Sequence, residues 1–569
     1  MVGDALKPKT GRIGRFDPES IGKDVIAGLV LSILLVPQAM AYAQLAGLPP
    51  ETGLYASLLP PLLYLLFGTS AFVSTGPVAL VSLVIAEAAT SAGGEPLTAA
   101  MIIGLQAGAM LVVLGALGLG RLVNFISEPV LLGFTAAAAV LIATSQLPTL
   151  LGIEAGRAGN LPDALAGLWQ GLPGFDATTA LIGVAALIVL LLAHRYAEPL
   201  LWKAGLHPPY RQGIAKSLPL AIIVGAACVA AMVPHDVPTV EAIDSAMPRL
   251  SFPDGGMALW IQLLPSSFAV AIIIFVTATA VAKSLAGRDR SNLDTSREAV
   301  ALGAGNIAAA LTGGYAIGAS LSRSALVEDS GGRTPLASVV ASVCVLAVLF
   351  LLAPLLAYLP RTALAALVIS AVFGLVKMRD MRQVWGHDRT EGAIIALSFL
   401  ATLLLGVRFG LGIGAALGLI HYLWFSSVPR VTRVGTDDGG ETYRSYDRDD
   451  VEIQTLPVLV VRIDRSIYFG NSAYCEDQIV SRLGWYDGVE CLVLDMRAVN
   501  AVDASGAAML LRLVERLSED DITVRFAETH EPVAERLKPY GGERSEFHRT
   551  VADALERCGV PQNEPIAPT

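Results

Sequence analysis

Apolar residues run in long blocks from Val25 to Phe425, with short polar breaks between them. The pattern divides into fourteen segments: 24–46, 52–68, 76–91, 97–119, 127–151, 177–194, 216–233, 262–285, 297–312, 320–331, 335–353, 360–376, 391–406 and 409–426. A full crossing of a bilayer needs about 20 apolar residues, so most of these blocks read as membrane helices. The third and tenth are the shortest well-defined ones, and Gly with Pro or Ser clusters at their starts. After Pro429 the texture changes. A charged stretch, 435–450, leads into a strand at 458–463, a helix at 473–483, a strand at 491–495, a helix at 504–517, a strand at 523–526 and a helical turn at 533–537. Such alternation with short links predicts a small α/β domain of about 110 residues. The expected architecture is therefore an α-helical polytopic membrane protein with a terminal α/β domain. Its expected parts are an N-terminal segment 1–22, a membrane domain 23–427, a linker 428–450, the α/β domain 451–560 and a frayed tail 561–569.

Composition narrows the class. Apolar residues are 54% of the 569 and charged residues 16%, with a mean hydropathy of +0.59. A soluble globule cannot hide that much apolar surface, whereas a membrane bundle exposes it to lipid. The net charge of −10 says little about the membrane part, because the acids concentrate after about Asp437. The first twenty residues are polar and basic, unlike a cleavable signal peptide.

Orientation is read from basic residues between spans. Lys7, Lys9, Arg12, Arg15 and Lys23 precede the first span. Arg195, Lys203, Arg211 and Lys216 separate the sixth and seventh, Lys283, Arg288, Arg290 and Arg297 the eighth and ninth, and Lys377, Arg379, Arg382 and Arg389 the twelfth and thirteenth. The alternate connections hold Arg157, Arg249, Arg361 and Arg408. Both termini are expected in the cytoplasm, with the chain in the inner (plasma) membrane.

The two short segments carry the chemistry. The first begins Phe72-Val73-Ser74-Thr75-Gly76-Pro77-Val78. The second follows Gly313-Gly314-Tyr315-Ala316-Ile317-Gly318-Ala319-Ser320 and continues Leu321-Ser322-Arg323-Ser324. Glycines permit close backbone approach and proline suits a first helical turn, so both read as extended backbone feeding a helix that begins inside the membrane. Such a start leaves backbone N–H groups unpaired and carries partial positive charge, which suits an anion. Two broken helices, one in each half, mark an inverted-repeat transporter with its site at the midplane. An arginine in a membrane segment costs several kcal/mol unless it is paired or snorkels. Arg323 either adds positive potential to the two helix starts or pairs with Glu328 or Asp329. Gln38 and Tyr42, four apart in the first span, share a helix face. Gln38 can donate an amide hydrogen to an anion and Tyr42 can close a pocket; both can equally be packing residues.

The five cysteines, Cys228, Cys344, Cys475, Cys491 and Cys558, show no metal-ligand spacing, and Cys228 and Cys344 read as small core residues. There is no nucleophile–base pair, phosphate loop or nucleic-acid motif. Enzyme activity, a cofactor, a metal site and a nucleic-acid partner are not expected.

Val36-Pro37-Gln38-Ala39-Met40-Ala41-Tyr42-Ala43, Leu45-Ala46-Gly47-Leu48-Pro49-Pro50 and Gly53-Leu54-Tyr55-Ala56-Ser57 resemble the first-span signature of the sulfate permease (SulP) family. That family includes bacterial and plant sulfate transporters, bacterial bicarbonate transporters, and animal anion exchangers with prestin and pendrin. Ser74-Thr75-Gly76-Pro77-Val78, Asn306 and Gly318-Ala319-Ser320-Leu321-Ser322-Arg323-Ser324 continue the resemblance. The tail is similar to the STAS domain of these proteins through Leu494-Asp495-Met496-Arg497-Ala498-Val499-Asn500 and Asp503-Ala504-Ser505-Gly506. The resemblance implies seven plus seven inverted repeats, with a core domain (spans 1–4 and 8–11) and a gate domain (5–7 and 12–14). It further implies a homodimer, and a small inorganic anion held between the starts of spans three and ten. Carried over, the binding residues are Gln38, Tyr42, Gly76, Val78, Ser320, Leu321, Ser322 and Arg323, and transport is an elevator-like displacement of core against gate. Ser505 takes the place of a serine phosphorylated in anti-sigma-factor antagonists, or simply forms the strand-to-helix turn. The domain is expected to act as scaffold and regulator, with room for a cytoplasmic regulatory partner.

Many cation-coupled relatives have a carboxylate in span eight where this chain has Thr277, and some proton-coupled ones have glutamate where Gln38 stands. The expectation is therefore anion exchange (antiport) or uncoupled movement rather than proton or sodium symport. Glu87, late in span three, is the remaining membrane acid that could support symport, and is read instead as an interfacial carboxylate. Sulfate is the leading substrate. The alternatives are bicarbonate, chloride, or a prestin-like sensor that binds an anion with little transport.

Overall fold

The computed structural model describes residues 17–559 except Gly94, 122–126, Arg157, 206–209, 234–236, 242–247, Arg249, 287–292, 437–442, 446–456, 486–487 and 541–545. Of the basic residues used for orientation, Lys7, Lys9, Arg12, Arg15, Arg157, Arg249, Arg288 and Arg290 lie outside the described residues, as does the 561–569 tail. Contacts divide the chain into two compact units, Met1–Gly418 and Leu419–Thr569.

The first unit is helical. Its elements are α1 (Pro18–Ala46), α2 (Pro50–Tyr55), α3 (Pro60–Phe67), β1 (Thr75–Gly76), α4 (Ala79–Ala92), α5 (Pro96–Ala116), α6 (Glu128–Leu151), α7 (Leu161–Gly171), α8 (Ala177–Lys203) and α9 (Tyr210–Met232). There follow α10 (Met257–Leu285), α11 (Thr295–Leu311), β2 (Gly318–Ala319), α12 (Leu321–Asp329), α13 (Leu336–Leu351), α14 (Ala353–Leu356), α15 (Arg361–Val372), α16 (Met378–His387), α17 (Arg389–Leu405) and the start of α18 (Val407–Ser427). Each of the fourteen apolar segments contains helix. Eight helices among the described residues are long and apolar enough to cross a bilayer alone.

The second segment is split into α2 and α3. Pro60 and Pro61 supply no backbone N–H to continue the first helix, so a new one starts at them. Charged α16 was not anticipated. Trp385, Met378 and three basic residues lie on or beside it, and none of its side chains is buried.

Two sets of helices emerge from the packing. In one, α5 lies against α11 and α10, α1 against α13, and α4 against α1 and α10. In the other, α6 packs on α15 and α17, and α8 on α9 and α15. Close backbone approach at Gly410 and Gly414 adds α18 to the second set, through Thr402, Ser398 and Val130. Two buried carboxylates staple the first set. Asp24 accepts the Arg333 and Thr334 N–H groups (2.6 and 3.0 Å) and the Thr334 hydroxyl. Glu298 accepts the Tyr64 hydroxyl (2.6 Å) and the Thr69 N–H (2.7 Å). A buried carboxylate is tolerated only when so satisfied. These bonds fix the loops on either side of the short helices.

Cys228 is exposed and Cys344 half-buried, so neither is the core residue expected.

The second unit holds a six-stranded sheet of order β4-β3-β5-β6-β7-β8, with β3 (Val431–Thr436), β4 (Tyr443–Ser445), β5 (Val458–Ile463), β6 (Cys491–Asp495), β7 (Thr523–Ala527) and β8 (Glu546–His548). From β5 to β8 the pairing is parallel, and β3 and β4 add antiparallel. Residues 431–436 and 443–445, expected in a linker, are thus strands of the sheet. Helices α19 (Ser472–Leu483), α20 (Ala504–Glu519) and α21 (Glu531–Leu537) cover one face through Ile479, Leu510, Leu513 and Leu537. On the other face α22 (Val551–Arg557) sets Val551 and Leu555 against Val460 and Val493. A disulfide joins Cys491 to Cys558, just past α22.

Candidate functional site

The two short helices begin where two extended segments meet. β1 and β2 pair antiparallel, Thr75 opposite Ala319 and Gly76 opposite Gly318. Each strand runs within three residues into its helix, so α4 and α12 start at one place and leave in opposite directions. Their N-terminal dipole ends therefore converge. Cross-links hold this junction. The Ser320 N–H donates to the Ser74 carbonyl (3.3 Å), and the Ser74 N–H donates to Ser324 Oγ (2.9 Å). Asn306, buried on α11, accepts the Ile317 N–H through Oδ1 (2.8 Å). Its Nδ2 donates to the carbonyls of Leu302 (2.8 Å) and Ile317 (3.2 Å). The amide thus satisfies both polar groups of Ile317 just before β2 and pins the segment.

Arg323 is wholly buried. Its Nη1 donates to the Pro77 carbonyl at 2.8 Å, which carries the guanidinium from α12 across to the start of α4. Nε and Nη2 are buried and donate to no acceptor among the described residues. Neither Glu328 nor Asp329 pairs with it; Asp329 is engaged by Lys216 at 2.7 Å. A Cβ added at Gly76 would stand 3.3 Å from Arg323 Nη2, so glycine there is what lets the charge lie against the β1 backbone. Among the described residues no carboxylate balances this buried, permanently charged group beside two positive helix ends.

The remaining candidates divide by position. Val78 is the N-cap of α4, extended and without a side-chain cap, and it is half-buried. Its Cγ2 would touch a Cβ placed on Gly318. Ser320 is the N-cap of α12; its Oγ accepts the Arg323 N–H at 3.5 Å and lies 3.2 Å from Ser322 Oγ. Leu321 and Ser322 are exposed, next to the buried Arg323 and Ser324. Gln38 and Tyr42 are buried on α1, and Gln38 Oε1 has no hydrogen-bond partner. Tyr42 is within electrostatic reach of Arg323. Thr277 is half-buried on α10, and its hydroxyl is turned back onto the Ile273 carbonyl (2.6 Å). The structure thus gathers Gly76, Val78, Ser320 and Arg323 at the junction, with Tyr42 near enough to feel the charge.

Sequence reasoning missed Tyr315 and Ser82. Tyr315, wholly buried, also lies in reach of Arg323, and its hydroxyl is 3.2 Å from Ser82 Oγ on the first turn of α4. The available signal was a tyrosine inside a glycine-rich break, where an aromatic has no reason to sit unless something packs on it.

Glu87, read as interfacial, is instead a shielded ion-pair member, 2.8 Å from Arg408. In the second unit Ser505 is exposed at the second position of α20. Asp503 caps that helix, Oδ1 accepting the Gly506 N–H (2.8 Å) and Oδ2 the Phe469 N–H (2.9 Å). Burial pushes the Asp495 carboxyl at the end of β6 above the usual carboxylate range, an effect the Arg497 N–H opposes. Burial also pushes the Cys475 thiol up to about 12.

Residues 21–398 match the Sulfate permease family, and residues 450–556 match the STAS domain. The chain is 30% identical to "Sulfate transporter 4.1, chloroplastic" of Arabidopsis thaliana, over 94% of this chain and 80% of that protein. It is 28% identical to "High affinity sulfate transporter 2" of Stylosanthes hamata, over 96% and 85%. The solved structure of the murine solute carrier 26 family member A9 anion transporter, in the inward-facing state, superposes with a TM-score of 0.87 at 21% identity, covering 96% of this chain and 92% of that one. The transmembrane domain of a cyanobacterium bicarbonate transporter, BicA, superposes at 0.58 with 18% identity, over 72% and 99%. With the family matched over most of its length, the chain is a multi-pass membrane protein of the sulfate permease family, a family of anion transporters and not of enzymes, and it carries a C-terminal STAS domain.

Proposed function

We propose that this protein exchanges small inorganic oxyanions, sulfate foremost, across the cytoplasmic membrane, and that the anion sits between the starts of α4 and α12. The observation that carries the proposal is Arg323: wholly buried, with one guanidinium nitrogen bound to Pro77 and two that donate to no group among the described residues. A tetrahedral oxyanion can accept from both free nitrogens and from the unpaired amides of two helix starts. Ser320, Ser322 and Gln38 supply further polar groups, Tyr42 and Tyr315 close the pocket, and Leu321 and Val78 form its apolar rim. The relatives named as sulfate transporters support the substrate.

Transport would proceed by sliding the set holding α1–α5 and α10–α13 against the set holding α6–α9 and α15–α18, as core and gate. Thr277 in place of a carboxylate, with its hydroxyl occupied by its own helix, supports exchange or uncoupled movement over cation symport. The termini are placed in the cytoplasm, the working unit as a homodimer, and the STAS domain as a regulatory scaffold.

The test is counterflow in proteoliposomes with labelled sulfate, bicarbonate and chloride, for wild type and Arg323→Ala. Sulfate exchange that disappears in the variant supports the proposal. Binding without turnover would favour a sensor, and uphill sulfate uptake driven by a proton or sodium gradient would overturn the exchange assignment.

A further inference from the structure

Each short helix carries a carboxylate at its ninth residue: Glu87 on α4 and Asp329 on α12. Eight steps of about 1.5 Å put each roughly 12 Å from the junction. The helices run apart, so the two carboxylates lie toward opposite ends of the bundle. Both are ion-paired, and both partners belong to the other helix set. Glu87 Oε1 is 2.8 Å from Arg408 Nε on α18, and Asp329 Oδ2 is 2.7 Å from Lys216 Nζ on α9. Lys216 opens the seventh of the apolar segments and Arg408 immediately precedes the last, matching places in the two halves of the chain.

The two pairs differ in their surroundings. Lys216 and Asp329 are 27% and 39% exposed, and water screens such a pair. Glu87 is 9% exposed and Arg408 26%. Arg408 Nη1 also reaches Ser266 Oγ on α10 (3.2 Å), so the guanidinium grips two helices of the first set. The Glu87 carboxylate faces the first amides of α18, at Val407 and Arg408. Backbone closes around it: a Cβ on Gly406 would lie 3.2 Å from Oε1, and one on Gly159 3.1 Å from Cγ. Such an acid holds its cation strongly, and removing either partner leaves a shielded charge unpaired.

We infer that Glu87 and Arg408 are a positioning pair that latches the first helix set to the second in this conformation, and that Lys216–Asp329 is its weaker counterpart at the opposite end. The latch acts on the anion site through α4, the helix whose start frames the site. For one set to slide past the other, the pair must part. This inference rests on the proposed sliding motion. It also gives Glu87 a use other than carrying a coupling proton.

The experiment places a reporter, Leu321→Cys, at the exposed start of α12 and treats oriented membranes with an impermeant maleimide from either face. Modification of residue 321 itself is read by mass spectrometry, and the ratio of rates from the two faces reports conformation. Glu87→Gln and Arg408→Gln are each expected to shift this ratio by about tenfold. Exchanging the charges, Glu87→Arg with Arg408→Glu, should return it toward wild type, and Asp329→Asn should move it less than about twofold. A ratio unmoved by Glu87→Gln overturns the latch. So does a shift in both single variants that the charge exchange does not reverse, since that marks lost packing. Loss of sulfate exchange in Arg323→Ala alongside a silent Glu87→Gln sinks the latch alone. A residue 321 that reacts from one face only, with and without saturating sulfate, sinks the sliding motion and the latch with it, while the anion site is judged separately by Arg323→Ala.

Discussion

The starts of α4 and α12 are built on the same plan and furnished differently. Both follow a two-residue strand, and both N-caps are extended. At α4 the cap is Val78, whose side chain accepts nothing, so the first amides of that helix are left to whatever enters the junction. At α12 the cap is Ser320, whose hydroxyl takes the Arg323 amide, and the helix contributes a full guanidinium instead. One half supplies backbone donors and the other a fixed charge. A shared backbone plan therefore does not imply equal roles. Damage to the α12 side should abolish function, whereas damage to the α4 side should tune it.

The largest expected effect tests that division. Two positive helix ends and a buried guanidinium repel one another, and a bound anion relieves the repulsion. Saturating sulfate should thus stabilise the wild-type protein by about 2.7 kcal/mol at a hundred times its Kd. Arg323→Ala should lose this thermal shift and reduce sulfate exchange by at least about a hundredfold. Arg323→Lys, which keeps the charge without the planar fork, should recover only part. Equal thermal shifts in wild type and Arg323→Ala would show that the backbone of both halves does the binding.

Next comes Gly76→Ala. The new Cβ would meet Arg323 Nη2 at 3.3 Å and Leu35 Cδ1 at 3.6 Å, so the guanidinium must give by a few tenths of an ångström. A displaced charge in an orienting site costs about tenfold in exchange rate. Its counterpart, Gly318→Ala, presses on Val78 Cγ2 at 3.0 Å, an apolar contact, and should leave more activity. The reverse order, measured side by side, would show that the approach to Arg323 Nη2 is not what makes the Gly76 position sensitive.

What could be read in the residues was local. Gly76-Pro77 and Gly318-Ala319-Ser320 betray broken helices because glycine, proline and capping residues act on their own immediate backbone. Arginine inside an apolar block betrays a site because its desolvation cost is intrinsic. Partners distant in sequence stayed hidden. Glu87 looked interfacial because Arg408 lies 321 positions away, and the use of Glu298 depends on Tyr64, 234 positions away. The Cys491–Cys558 disulfide spans 67 positions and joins residues with no local spacing signal. Strands β3 and β4 were hidden by their polar residues: Thr432, Arg433 and Thr436 in β3, and Arg444 and Ser445 in β4, leave no apolar run to read.

Asn306 tests the scaffold behind the α12 half. Asn306→Ala removes its three bonds to Ile317 and Leu302; the Leu302 carbonyl keeps its helical partner, but the Ile317 N–H and carbonyl lose theirs at about 1–3 kcal/mol each. The expected result is a lower melting temperature in detergent and a several-fold weaker apparent sulfate affinity. Arg323 itself is untouched by the change. An affinity unchanged despite a lower melting temperature would mean that β2 holds its place through β1 alone.

The smallest effect is expected at a neutral bond between two hydroxyls, one from each half, next to the charge. Tyr315 precedes β2, Ser82 lies on the first turn of α4, and their hydroxyls are 3.2 Å apart. Tyr315→Phe keeps the ring and removes one neutral bond of about 1 kcal/mol, a factor of roughly five in affinity. Ser82→Ala should do the same, and the double variant should be no worse than either alone, because each single change already breaks the bond. Additive losses would indicate instead that each hydroxyl donates separately to the anion. The α4 half would then contribute a side chain as well as its amides, and the contrast between the two halves would narrow.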